Sequence, residues 1–218
     1  MLSLQALGAA YITDKGDWFH SFRGMSYLDV YAIYFEPLRH KSLSILEIGV
    51  REGASLILWH EFFPRAKIYG IDIDPACARA PLLSDRMHIA IGDQGDGAFM
   101  AGCFPNVEFD IVIDDGSHIN RLTLAAFKSL WSRLKLGGLY CVEDLGCSYE
   151  RLQTEQDVLN IWPGMHFNDP RGDYDNDRRV MDAFFEQGIE AMDRLRGDVR
   201  FVHFWPMLCV MGKAEVLA

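Results

Sequence analysis

The order of residues 44–144 constrains the fold more than any other feature of this chain. Short apolar runs of β-type composition alternate there with stretches whose apolar residues recur at helical spacing. "SILEIGV" (44–50), "AKIYGIDI" (66–73), "MHIAIGD" (87–93), "FDIVIDD" (109–115) and "GGLYCVED" (137–144) read as five strands. "SLILWHEFF" (55–63) and "LTLAAFKSLWSRL" (122–134) read as helices between them. Near-continuous apolar strands separated by helices imply an α/β fold, with a parallel sheet buried on both faces. Such a sheet places its ligand site at the carboxyl ends of the strands. The alternation breaks at "VRFVHFW" (199–205), Pro206 and "MLCVMGK" (207–213), which predict an antiparallel hairpin.

A length of 218 residues suits one such domain. We place the domain at 44–218, preceded by an N-terminal helical extension over 1–43. In that extension "YLDVYAIYFEPL" (27–38) predicts a helix stopped by Pro37. Patterning weakens over 145–177, around Trp162, Pro163, Gly164, Pro170 and Gly172, so a lid or substrate loop is expected there.

Composition excludes several partners. A formal net charge of −10 leaves no basic stripe to neutralise phosphates, which argues against nucleic acid and anionic membranes. No apolar run approaches the roughly 18 residues of a membrane span. No basic residue precedes Lys15, so no signal peptide is expected. The five cysteines form no CxxC pair, which suits reduced thiols in a cytoplasmic protein better than disulfides or zinc.

The first strand runs into Glu47-Ile48-Gly49-Val50-Arg51-Glu52-Gly53. Gly49 and Gly53 would let a ligand approach the backbone at a strand-to-helix turn. Asp72, ending strand two, is placed to grip ribose hydroxyls, with Asp74 as a competitor. A dinucleotide enzyme calls for G-x-G-x-x-G, which this turn lacks. Glu47 would also repel a pyrophosphate, and it suits a cationic ligand such as S-adenosylmethionine.

"TDKG" (13–16), "ILEIGVREGASLILW" (45–59), "FPRAKIYGIDIDP" (63–75), "GDQ" (92–94), "FDIVIDDGSH" (109–118) and "GGLYCVEDL" (137–145) together carry a family resemblance. The chain resembles class I S-adenosylmethionine-dependent methyltransferases, in particular the metal-dependent O-methyltransferases of antibiotic sugars. That resemblance implies a Rossmann-like, mostly parallel seven-stranded sheet with a C-terminal antiparallel hairpin. It further implies that Glu47 and Gly49 line the methionine end of the cofactor, that Asp72 binds the ribose, and that Asp93 and Gln94 lie near the adenine. Lys15 and His20 would lie over the active-site cleft, in unspecified roles. Homo-oligomers are common in the resembled family, with the N-terminal segment as a candidate contact.

Asp115 follows strand four; Glu143 and Asp144 end strand five. If the two strands are neighbours, their ends lie about 5 Å apart. Three carboxylates then converge, and a hard divalent ion resolves their repulsion. Magnesium fits all-oxygen ligation best, and manganese could substitute. The resemblance makes Asp115 the ligand with Glu143 and Asp144. Asp114 stays open as an alternative ligand, or as support for the loop and cofactor. His118, three residues past Asp115, is the candidate general base for a metal-polarised hydroxyl. The expected reaction is methylation of a hydroxyl on a sugar or vicinal diol of a secondary metabolite, the substrate being a small, glycosylated molecule. Methylation of a catechol-type phenol and a non-catalytic cofactor-binding protein of the same fold are the alternatives.

Overall fold

The computed structural model describes residues 1–16, 24–149 and 176–214. Its sheet contains β1 (Ser44–Ile48), β2 (Lys67–Asp72), β3 (Met87–Ile91), β4 (Phe109–Asp114), β5 (Leu134–Val142), β6 (Val199–Trp205) and β7 (Leu208–Lys213). The seven strands lie in the order β3-β2-β1-β4-β5-β7-β6. The first five are parallel; β7 runs antiparallel to both β5 and β6. The expected Rossmann-like sheet with its C-terminal hairpin is therefore present. Pro206 and Met207 make the two-residue turn of the hairpin, with Met207 at a φ of 60°. Proline followed by a positive φ matches a type II turn.

Helices cover both faces. α1 (Leu4–Tyr11), α2 (Tyr27–Phe35) and α3 (Ala54–Phe62) share one core with Ile45, Ile111 and Ile113. On the other face, α4 (Gly97–Gly102), α5 (Asn120–Leu130) and α6 (Arg178–Asp193) flank a core containing Leu46, Val112, Tyr140, Ala126, Leu130 and Phe185. The unbroken Ile111-Val112-Ile113 run is thus a period-two pattern with an apolar demand on both sides. α1 and α2 contribute Leu4, Tyr27, Tyr31 and Phe35 to the same core as β1. No described helix is long and apolar enough to cross a membrane.

The edges of some elements differ from expectation. α2 gives way to a 3-10 turn at Glu36–Leu38, because Pro37 cannot continue the α-helical bonding. α5 starts two residues earlier than its apolar spacing suggests and ends at Leu130; the chain enters β5 at Leu134. α6 and the short α4 have no counterpart in the expected elements. Residues 150–175, most of the expected substrate loop, lie outside the described residues, as does His20.

β1 lies between β2 and β4, so successive crossovers leave it in opposite directions. The crevice at its carboxyl end is the switch point where such sheets bind ligands.

Candidate active site

Side chains alternate across a strand, so adjacent acids at a strand end point to opposite faces. Glu47 pairs with Ile113, and Ile113 with Cys141, on the face covered by α1–α3. Two residues further on, Asp115 and Glu143 extend from β4 and β5 on that same side. Asp114 turns to the opposite face, beside Tyr140 and Gln94.

Lys15 fills the space between the three acids. It comes from the short turn Asp14–Gly16, where the chain turns after α1 through Ile12 at a φ of 55°. Its Nζ lies 3.2 Å from Glu47 Oε1 and donates to Glu143 Oε2 at 2.8 Å. It also donates to Asp115 Oδ2. Its side chain is 2% exposed. Burial works against this ammonium, but Asp115, Glu143 and Glu47 outweigh it and hold Lys15 charged well above its usual range. Burial likewise pushes the Glu47, Asp115 and Glu143 carboxyls up, with Lys15 opposing the rise at each.

The remaining acid contacts come from helices. Trp59 of α3 donates through Nε1 to Glu47 Oε2 at 3.0 Å. Tyr31 donates to Glu143 Oε1 at 2.6 Å, and Tyr27 to Asp144 Oδ1 at 2.7 Å. These tyrosines stand four residues apart, hence on one face of α2, and address two consecutive acids.

A second cluster lies beside the lysine-centred one. Asp115, His118 and Asp144 each offer a ligand atom within 4.8 Å of the others. His118 Nε2 is 3.5 Å from Asp144 Oδ2. Both His118 and Asp144 occupy the left-handed region, with φ of 55° and 53°. Non-glycine residues hold that conformation only where their surroundings over-determine it. Asn176 supplies part of the constraint: its Nδ2 donates to the carbonyls of His118 (2.8 Å) and Cys147 (2.9 Å). Its Oδ1 accepts from Asn120 N at 2.8 Å. One amide thus ties the loop after β4 to the loop after β5.

The two carboxylates offer oxygen ligands that suit a hard divalent cation, and the imidazole stands beside them. Asp115 and Asp144, both expected ligands, belong to this cluster together with His118. The Glu143 carboxylate, expected beside them, turns to Lys15 and Tyr31.

The strand ends on the β2–β3 side carry the other expected residues. Asp72 Oδ2 accepts from Val50 N (2.7 Å) and Arg51 N (3.0 Å), and its Oδ1 from Asp74 N (2.9 Å). Three of the roughly four acceptor positions of Asp72 are therefore spent on fastening the turn. Gly49, at a φ of 94°, is indispensable for close approach: a Cβ there would sit 2.1 Å from the Asp115 carbonyl oxygen. Gly53 caps α3 at a φ of 84°. Asp93 closes its own turn by accepting from Gly95 N at 2.7 Å. Gln94 accepts from Ser117 N at 2.8 Å and donates to Asp114 Oδ1 at 3.3 Å. Asp114 is fully enclosed, and burial pushes its carboxyl up to about 7. Its carboxylate and the Tyr140 hydroxyl are both buried and face each other.

Sequence reasoning missed Tyr27, Tyr31, Asn120 and Asn176, which read as core aromatics and loop amides. It singled out Lys15 but attached no role to it.

Residues 46–145 match a family profile described as a methyltransferase domain. The chain is 35% identical over 176 residues to the 8-demethyl-8-alpha-L-rhamnosyl tetracenomycin-C 2'-O-methyltransferase of Streptomyces olivaceus, covering 77% of this chain and 41% of that one. It is 34% identical over 169 residues to the mycinamicin VI 2''-O-methyltransferase of Micromonospora griseorubida, covering 74% and 38% respectively. Among solved structures, the MycE methyltransferase of mycinamycin biosynthesis, in complex with Mg, SAH and mycinamycin VI, superposes with a TM-score of 0.73 at 27% identity. That match covers 99% of this chain and 56% of the other. The chain spans about two-fifths of the length of the curated relatives it matches.

Proposed function

The chain belongs to the class I S-adenosylmethionine-dependent methyltransferases, related to the antibiotic-sugar O-methyltransferases, and from that premise we propose that it methylates a sugar hydroxyl of a glycosylated secondary metabolite. The donor is S-adenosylmethionine and the reaction depends on a divalent ion, magnesium fitting best. The observation that carries this reading is the Asp115–His118–Asp144 cluster at the carboxyl edge of β4 and β5.

Asp115 and Asp144 would hold the ion, with Glu143 as the third expected ligand, and the ion would supply Lewis acidity towards an acceptor hydroxyl. His118 takes the proton from the hydroxyl that is methylated, since a neutral alcohol is a poor nucleophile. Asp144, 3.5 Å from His118 Nε2, stabilises the imidazolium that results. Asn176 keeps the base and the loop after β5 in register, so that much of the rate comes from positioning. The donor would be held by the Glu47–Gly53 turn, with Asp72 and Asp74 as the residues for its ribose and Asp93 and Gln94 as those for its adenine. Asp74 uses one oxygen on Ala76 N at 2.8 Å, which leaves the other for a ribose hydroxyl.

Calorimetric titration with S-adenosylhomocysteine (SAH) and NAD, followed by a mass-spectrometric screen of glycosides, free sugars and catechols, tests the proposal. SAH should bind and NAD should not; a glycoside should gain one methyl, and excess EDTA should abolish the gain. Exclusive methylation of catechols would replace the sugar reading, and full turnover in EDTA would remove the metal from it.

A further inference from the structure

Gln94 follows β3 in the segment expected beside the adenine, yet its side chain does not stay there. It is buried, and it reaches across to the loop after β4. Its Oε1 accepts from Ser117 N at 2.8 Å, and its Nε2 donates to Asp114 Oδ1 at 3.3 Å. These partners fix which way the amide points, since a flipped amide would set NH2 against a backbone N–H and oxygen against a carboxylate. Gly116 makes room for the contact: a Cβ there would stand 2.2 Å from Gln94 Oε1. We propose that Gln94 is a positioning residue for the base: its amide holds the Asp114–His118 segment from the β3 side, instead of reading the adenine. The inference rests on the proposed role of His118 and deepens it.

His118 sits at a φ of 55°, which its own preferences disfavour, so its place must be set by bonds to the peptides around it. Asn176 takes the His118 carbonyl from one side, at 2.8 Å. Gln94 takes the amide of the preceding residue, Ser117, from the other. Within the loop, Ser117 Oγ accepts from Ile119 N at 3.3 Å. The base is therefore spanned by side chains from two separate elements. Gln94 is itself anchored, because the Asp93 carboxylate closes the same turn on Gly95 N at 2.7 Å. One short turn thus serves the donor with its backbone and the base with its amide. Methyl transfer needs the acceptor oxygen in line with the methyl group, and a misplacement of about 1 Å can cost about 10²-fold in rate. A buried amide that ties the base loop to the cofactor's strand end limits such a displacement.

Three chains test this: wild type, Gln94→Leu, which keeps the shape without the hydrogen bonds, and Gln94→Asn, which keeps the amide but falls one methylene short. Circular dichroism monitors folding in each. Hydrogen exchange of the metal-free protein reads the loop directly, and the Ser117 amide should exchange at least about tenfold faster in both variants. SAH affinity in calorimetry should change little, while kcat falls by about 10- to 100-fold with a smaller effect on the acceptor KM. Loss of SAH affinity with kcat unchanged at saturating donor would make Gln94 an adenine contact and overturn the proposal. Unchanged exchange at Ser117, or wild-type kcat in a folded variant with only a lower melting temperature, would overturn it too. Gln94→Asn decides the matter if Gln94→Leu fails to fold. A wild-type chain that transfers no methyl group to any hydroxyl would instead defeat the proposed function on which the inference rests.

Discussion

Replacing Asp114 with Asn should flatten the dependence of stability on pH. Asp114 ends β4 on the face opposite Asp115, enclosed beside the Tyr140 hydroxyl. Burial raises its carboxyl from 3.8 to about 7, against weaker opposition from His118, the Gly116 amide and Gln94. A folded value above the unfolded one means that the native chain binds the proton more tightly. The resulting stability is complete below about 4 and is lost as pH rises through about 7. Between pH 5 and pH 8 the loss from this one group amounts to about 3 kcal/mol. Asn keeps the shape without the charge, so the variant should lack that component. Glu47, Asp115 and Glu143 are also raised and contribute a slope of the same sign, but they do so in both chains. The quantity to measure is therefore a difference of differences, from urea denaturation of wild type and Asp114→Asn at both pH values in EDTA. Identical pH dependence in the two chains would refute the argument that this carboxyl pays the full cost of its burial.

His118→Ala should lower kcat by about 10²–10⁴ while leaving SAH affinity unchanged in calorimetry, since the base faces the acceptor and not the donor. Near-wild-type turnover would reduce His118 to a loop residue. Tyr27→Phe removes the 2.7 Å hydrogen bond that orients Asp144, and should weaken magnesium binding by about 10- to 100-fold in a metal titration. Gly49→Ala places a methyl 2.1 Å from the Asp115 carbonyl oxygen at a φ of 94°. It should cost at least about 2 kcal/mol in chemical denaturation, and an unchanged midpoint would contradict the close approach of the two loops.

The sheet was legible in the sequence because its signal is local. A strand buried on both faces must be apolar at every position, and Ile111-Val112-Ile113 announces that without reference to any neighbour. The hairpin at 199–213 was legible for the same reason, as two runs of β-type residues around Pro206. α6 was not, because its sixteen residues bury only Met181 and Phe185 outright and intersperse seven polar or charged side chains among the apolar ones.

At the site, the sequence determined which carboxylates stand at strand ends, and therefore that Asp115, Glu143 and Asp144 gather at one edge of the sheet. Which oxygen faces which cation was decided only by the tertiary structure. Period two sends Asp114 and Asp115 to opposite faces, but strand register is what sets Asp115 beside Glu143. Lys15 is separated from Glu143 by 128 residues, and no local pattern marks a lysine as buried. Tyr27 and Tyr31 look like ordinary core aromatics until α2 is docked, when their hydroxyls reach two consecutive acids. The division of the acids between an internal ammonium and the Asp115–His118–Asp144 cluster is long-range electrostatics, set by chain segments that meet only in the folded protein.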